Sequence, residues 1–232
     1  MNRILFTAAE QEELDCARHA FRLYEHRVPA DLSVDFMLTG IGATSTCYRL
    51  TKKILEAATE GTPYTLVINI GIAGSFCTEK YPIGSAAVIE KEHFGDLGFE
   101  TMFGFQTLFQ YELLDADLFP YKGGALYRTP LESPLEDLLS GYEKATGVTV
   151  QTVTGNPAKV EDIKTRFFPD IESMEGAAVY YVCLQEKVPF FEIRTVSNAV
   201  GERDKSKWNI PLALKKLTDI CKEILSAVCT VK

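Results

Sequence analysis

The chain contains no Cys-x-x-Cys pair. Its six cysteines, at positions 16, 47, 77, 183, 221 and 229, are scattered, and several sit in apolar periodic segments. A zinc knuckle or a thioredoxin-type redox motif is thereby excluded, and free thiols that behave as small hydrophobes point to a reducing compartment. Histidine is scarce: His19, His26 and His93 are far apart and lack metal-ligand spacing with Cys or Asp, so neither a metal nor an organic cofactor is expected. No run of Lys or Arg occurs, and 24 basic against 32 acidic residues leave a net charge of −8, which argues against a nucleic-acid partner. No apolar run reaches membrane-spanning length, and Ile4 to Ala9 is too short for a signal-peptide core. The expectation is a cytoplasmic protein with no membrane partner. There is also no internal repeat, low-complexity tract or linker, so residues 1–232 read as a single domain.

What is present is alternation. With 46% hydrophobic residues over 232 positions, the chain can bury a sizeable core. Short β-rich runs alternate with helical patterns: strand Arg3 to Ala8, helix Glu10 to His26, strand Val34 to Leu38, helix Ala43 to Glu60. Thr65 to Ile70 is apolar enough for a strand covered on both faces, and it is expected to break at Gly71-Ile-Ala-Gly74. Further strands are expected at Ser85 to Glu90, Gly124 to Tyr127, Val148 to Val153 and Phe190 to Val196. Helices are expected at Leu135 to Ala145, Met174 to Glu186 and Leu212 to Val228. This order predicts an α/β fold with a mostly parallel or mixed sheet flanked by helices. The segment from Phe94 to Tyr121, rich in Phe and Gly, reads as a flap or an interface loop.

Four features carry chemistry. Ala8-Ala-Glu-Gln-Glu-Glu13 places acids at a strand-to-helix junction, where they also suit the helix dipole. Gly40-Ile-Gly42 follows a strand and precedes a helix, so its N–H groups can face an anion or a water. Asn69-Ile-Gly71-Ile-Ala-Gly-Ser75 puts glycines at a strand's C-terminal end, where backbone can approach a ligand or turn tightly. Glu172-Ser-Met-Glu-Gly-Ala-Ala178 sets Glu175 ahead of three small residues, and the returning strand Val188 to Asn198 ends on a polar pair. A helix running one way and a strand coming back bring Glu175 and Asn198 to one rim of the sheet, where α/β proteins bind small molecules.

The blocks Gly40-Ile-Gly, Asn69-x-Gly-x-Ala-Gly74, Ser173-Met-Glu-Gly-Ala-Ala178 and Val188-Pro-Phe-x-x-Ile-Arg-x-x-Ser197 together resemble the nucleoside phosphorylase and nucleosidase superfamily over nearly the full length. Asp96-Leu-Gly-x-Glu100, the Ser197-Asn198 pair and Gly201-x-Arg-Asp204 followed by Trp208 resemble its futalosine hydrolase branch, nucleosidases of menaquinone biosynthesis. The resemblance implies a three-layer nucleoside phosphorylase-like fold with a central mixed sheet flanked by helices. It also implies a small-molecule nucleoside substrate and a homodimer or larger homo-oligomer.

By the same resemblance, Glu12 matches the residue that deprotonates the attacking water. Met174 and Glu175 match the pair that packs under the ribose and bonds its hydroxyls, with Gly71 and Ile72 lining the same site. Ser197 and Asn198 match a Ser-Asp pair that contacts the departing base in adenine-specific relatives. Candidates for an aromatic stacked on the base are Phe94, Phe103 and Phe105; for the far end of the substrate, Arg203 and Lys207; and for a proton relay to the base, Asp204.

The replacement of Asp by Asn198 has a chemical reading. Adenine offers a donor at its 6-amino group and an acceptor at N7, which suits a carboxylic acid. Hypoxanthine offers acceptors at O6 and N7, which suits a carboxamide NH2. The expected reaction is therefore hydrolysis of futalosine with release of hypoxanthine, with Glu12 as base, Glu175 on the ribose and Asn198 on the leaving purine. The rivals are an adenine-releasing nucleosidase, a 6-oxopurine nucleoside phosphorylase, and a nucleoside-binding module without catalysis.

Overall fold

The computed structural model describes residues 2–102, 104–132 and 134–230. Strand β1 (Asn2–Ala8) leads into helix α1 (Gln11–Tyr24), then β2 (Leu32–Leu38), α2 (Ala43–Thr59) and β3 (Leu66–Ser75). β4 (Ala86–Phe94) follows, with a hairpin of β5 (Gly98–Thr101) and β6 (Gly104–Thr107), and then β7 (Leu126–Tyr127), α3 (Leu135–Leu139) and β8 (Glu143–Thr149). The chain ends with α4 (Pro157–Phe167), β9 (Ile171–Ser173), α5 (Gly176–Gln185), β10 (Phe190–Ala199) and α6 (Ile210–Thr230).

β3 is the hub. It pairs in parallel with β1 and β10, and antiparallel with β9. β10 continues to β4, β4 to β8 and β8 to β9, so five strands close on themselves while β1 and β2 extend the sheet outward. Because successive side chains point to opposite faces and both faces are covered, β3 is apolar apart from Asn69 and Ser75. Leu66, Ile68 and Ile70 pack with Phe191 and Ile193 against α1, α3 and α6, where Leu14, Ala17, Leu217, Ile220, Ile224 and Leu225 are fully buried. Val67 and Ala73 face the other way, to Leu50, Ile54, Ala177, Val179 and Tyr180 of α2 and α5. Helices thus cover both faces of a mixed sheet, and each fully buried large side chain contributes about 1.5–3 kcal/mol.

Four expectations needed correction, one being the strand expected over Val148 to Val153, of which only Val148 and Thr149 are strand, at the end of β8. β3 does not break at Gly71 but runs to Ser75; Gly71 keeps an ordinary φ, and its missing side chain makes room for a neighbour rather than a turn. The helix expected over Leu135 to Ala145 stops at Leu139, and the next segment is strand β8, held between β4 and β9. Gly141 stands at the break, and sheet pairing overrides the helical tendency of Glu143-Lys-Ala. The segment from 94 to 121 is partly ordered by the β5–β6 hairpin rather than being wholly a loop. Among the described residues, no helix is long and apolar enough to cross a membrane.

Candidate active site

On the face of the sheet toward α2 and α5, register stacks residues in rows that change character along the strands. Leu5, Val67 and Phe190 form an apolar row. Two residues on, Thr7, Asn69 and Glu192 form a buried polar row, with Thr7 Oγ1 donating to Asn69 Oδ1 at 3.1 Å. One step further, Gly71 pairs with Arg194. The C-terminal ends of these strands therefore carry charge into a buried place, which is costly unless every charge is met.

Three acids meet it. Arg194 is buried, and its Nε donates to Glu192 Oε1 at 2.5 Å. Its Nη2 lies 3.8 Å from Glu175 Oε2. Glu13 stands beside it: a Cβ built on Gly71 would collide with Arg194 Nη1 and come 2.9 Å from Glu13 Oε1. Glu13 Oε1 accepts the Ile72 N–H at 2.9 Å and Oε2 the Glu10 N–H at 3.0 Å. Burial pushes the Glu13 carboxyl above the ordinary value, and the Arg194 charge partly offsets that.

Glu12 is the principal correction. Glu12 is exposed and makes no side-chain hydrogen bond among the described residues, whereas Glu13 is buried against Ile72. The cause is helix geometry. With Glu10 at the N-cap, Glu13 is the third helical residue, which turns back toward the cap, while the second turns outward. Arg194 was missed altogether as a site residue: its two-residue spacing from Glu192 puts both on one face of the strand, but what that face meets is set by register.

Glu175 ends up where the Gly40-Ile-Gly42 turn can hold it. Gly42, at φ +90°, donates its N–H to Glu175 Oε1 at 2.9 Å. The anion expected at that turn is the protein's own carboxylate. Met174, next to it, is half-buried.

Three residues along β3 from Gly71, about 10 Å at ~3.3 Å per residue, Gly74 pairs with Asn198 across a bulge in β10. The bulge re-aims the strand end, and Asn198 Nδ2 stands 3.4 Å from where a Gly74 Cβ would be. Ser197 Oγ is 2.8 Å from Asn198 Oδ1, and Nδ2 donates to Ala199 O at 2.9 Å. One of the two N–H groups is therefore engaged, and the other makes no hydrogen bond among the described residues.

The remaining candidates separate. Asp204 is exposed and caps the turn Lys205–Lys207 by accepting from Ser206 N and Oγ, so it is not placed as a proton relay. Arg203 lies over the Trp208 ring, 5.4 Å from its centroid, and Lys207 pairs with Glu202 at 2.7 Å. Phe105 is buried with Phe76 and Val148, and Lys159 and Arg166 lie over its ring. Phe94 packs into the core beside α2 and α5, and Phe103 lies outside the described residues.

Gly71→Ala tests the convergence. The added methyl must displace Arg194 or Glu13, so we expect a loss of about 1–3 kcal/mol in stability and a drop in kcat/KM well beyond that seen with Gly61→Ala, which strains the backbone at φ +72° but meets no neighbour. Thermal melts and steady-state kinetics on the two variants check it.

Residues 4–226 match the Phosphorylase superfamily. The chain is 33% identical over 195 residues to futalosine hydrolase of Streptomyces coelicolor, covering 84% of this chain and 78% of that protein. It is 29% identical over 198 residues to futalosine hydrolase of Thermus thermophilus, covering 82% and 80%. Among solved structures, 5'-methylthioadenosine/S-adenosylhomocysteine nucleosidase of Helicobacter pylori superposes with a TM-score of 0.75 at 16% identity, over 100% of this chain and 99% of that one. The fold is accordingly the three-layer, nucleoside phosphorylase-like one.

Proposed function

The chain belongs to the phosphorylase superfamily, and from that premise we propose that it hydrolyses the N-glycosidic bond of futalosine, releasing hypoxanthine and dehypoxanthine futalosine. The observation that carries this reading is the convergence of Glu13 and Glu175 on Arg194 and Gly71, about 10 Å along β3 from Asn198 at ~3.3 Å per residue, a separation on the scale of a nucleoside. Similarity to futalosine hydrolases over most of the chain supports the choice of substrate.

The chemistry follows from the placement. Glu175, fixed by Gly42 and Arg194, accepts hydrogen bonds from the ribose hydroxyls. Glu13 takes a proton from water as the water oxygen attacks the anomeric carbon. Its raised proton affinity suits a base working near neutral pH. The C–N bond breaks with its electron pair going to the purine, through an oxocarbenium-like transition state. Asn198 donates its free N–H to the O6/N7 edge as negative charge grows there, and hypoxanthine then takes a proton from solvent. All six cysteines are free thiols, which supports a reducing compartment; we place the reaction in the cytoplasm, and cell fractionation checks that placement.

A phosphorylase is the second reading, and one observation favours it: Arg49 of α2 reaches back to the Gly40 turn and donates to Leu38 O at 3.3 Å. Against it, the Gly42 N–H that a phosphate would use is already bonded to Glu175. Incubation with futalosine and with inosine, with and without phosphate, separates the readings by free hypoxanthine. Release from futalosine at the same rate in both buffers is expected. Phosphate-dependent release means a phosphorylase, and no release from either compound ends the enzymatic reading.

A further inference from the structure

Behind the site lies a second pair of acids that the proposed chemistry does not use. Glu92 of β4 and Glu192 of β10 are 1% and 0% exposed. Both reach under the start of α5: a Cβ built on Gly176 would collide with Glu92 Oε1 and come 2.7 Å from Glu192 Oε2. Glycine at 176, like glycine at 147, is what leaves room for Glu92.

The hydrogen bonds around the pair differ in kind. Glu192 Oε1 accepts a charged donor, Arg194 Nε. Glu92 Oε2 accepts a neutral one, the Thr149 hydroxyl at 2.9 Å, whose own oxygen accepts the Ala177 N–H at 2.7 Å. Thr149 has a single hydroxyl proton and gives it to Oε2, so an acid proton on Glu92 belongs on Oε1, the oxygen that shares the space beside Gly176 with Glu192 Oε2. Glu192 Oε2, in turn, makes no hydrogen bond of ordinary geometry among the described residues, and the Asn69 carboxamide of the adjoining strand, whose Nδ2 is likewise unpaired, is the neutral donor that faces Glu192.

We propose that Glu92 and Glu192 hold one proton between them, Glu92 as the acid and Glu192 as the anion, and that Glu192 is thereby a positioning residue that pins Arg194 against Glu13 and Glu175. Resting on the functional reading above, the inference deepens it: the base and the ribose-binding acid share one guanidinium whose orientation and residual charge are set from behind. Two buried carboxylates at one place cannot both ionise cheaply. Burial is the larger cause that raises the proton affinity of each, with Glu192 adding to that of Glu92, while the Arg194 charge lowers that of Glu192. The groups facing the pair are Asn69 from β3, Thr149 from β8, Glu175 and Tyr180 at and in α5, and Arg194 from β10, with Glu13 of α1 on the far side of Arg194. Arg194 is the only cation among them.

The assignment makes the two acids unequal under the same substitution. Glu92→Gln keeps a neutral group with an N–H where the acid proton was, so kcat, KM and the pH profile stay within about twofold of the parent. Adding Glu192→Gln to that variant removes the last anion behind Arg194. The unshared charge then holds Glu13 more firmly ionised, so the acid limb of kcat moves down by about one pH unit. The weaker base lowers kcat about tenfold with KM nearly unchanged. A merely structural role would move the melting temperature and leave the limb in place.

An infrared spectrum tests the shared proton without any substrate. The parent should show the carbonyl band of a buried protonated carboxylic acid at neutral pH, and Glu92→Gln should lose it. A parent without that band overturns the proposal whatever the enzyme cleaves. So does a Glu92→Gln variant that loses activity tenfold, or a double variant whose acid limb does not move. If no substrate is cleaved at all, the functional reading fails while the infrared result still decides the proton.

Discussion

Replacing Glu13 by Gln should lower futalosine hydrolysis by about 10²–10⁴-fold, the range for loss of a general base, while Glu12→Gln changes it by no more than about twofold, as for exposed surface positions. The two residues are sequence neighbours of one chemical type, so the comparison isolates place from chemistry. Glu13 is 6% exposed and bonded to Ile72 N and Glu10 N; Glu12 faces solvent. The Glu13→Gln change would set an amide NH2 against a backbone N–H, weakening the start of α1 by about 0.5–2 kcal/mol as cap losses do. Thermal melts on both variants therefore accompany the kinetics, read at a temperature where both remain folded. The pH dependence has a definite sign. Burial raises the Glu13 value above 4.5, and a base must be ionised to act, so activity falls as pH drops through that raised value. The acid limb should disappear from the residual activity of Glu13→Gln and persist in Glu12→Gln. If Glu12→Gln proves the damaged variant, the base has been misassigned and α1 enters the site in another register.

The same one-residue difference shows what could be read from the sequence. The acid cluster, its strand-to-helix junction and the glycine-lined end of β3 were all legible, because apolar runs and turn residues announce them. Which acid turns inward was not, because that depends on where the helix begins. Read from Glu10 as a helical residue, the cluster gives no direction; read with Glu10 as the cap, the three-residue spacing to Glu13 does. Helix α4 was lost for a different reason. Only Ile163 and Phe167 of its eleven residues are buried, so its apolar period is thin. Its real signals are Asn156 accepting from Ala158 N and Pro157 at the first position. Arg194 and Glu192 escaped because buried charge reads as an interruption of a strand, and only the register of β10 on β3 shows that Arg194 meets Gly71 and that Glu192 meets Asn69.

Asn198→Asp should reverse the choice of base. A hydrogen bond to the charge developing on the purine is worth about 1.5–3 kcal/mol, and at about 1.4 kcal/mol per tenfold its loss lowers kcat/KM for futalosine by roughly one to two decades. The environment of residue 198 suggests which form the new acid takes. Asn198 Nδ2 now points at Ala199 O, 2.9 Å away, and Oδ1 at the Ser197 hydroxyl. An ionised Asp would set an oxygen against that carbonyl, so the site favours a protonated acid, with its O–H toward Ala199 O or, when adenine is bound, toward N7. The other oxygen keeps the Ser197 hydrogen bond and is free to accept from a 6-amino group. Adenine release from aminofutalosine, feeble in the parent, should therefore rise as hypoxanthine release falls, and the ratio of the two kcat/KM values should move by more than either alone. Chromatographic quantitation of both bases from paired incubations measures it directly. A variant that loses activity on both substrates in equal proportion would show that residue 198 supports catalysis without reading the base. One that keeps both parental rates unchanged would move base recognition elsewhere on the rim, to the backbone of the loop between β8 and α4 that packs beside Arg203.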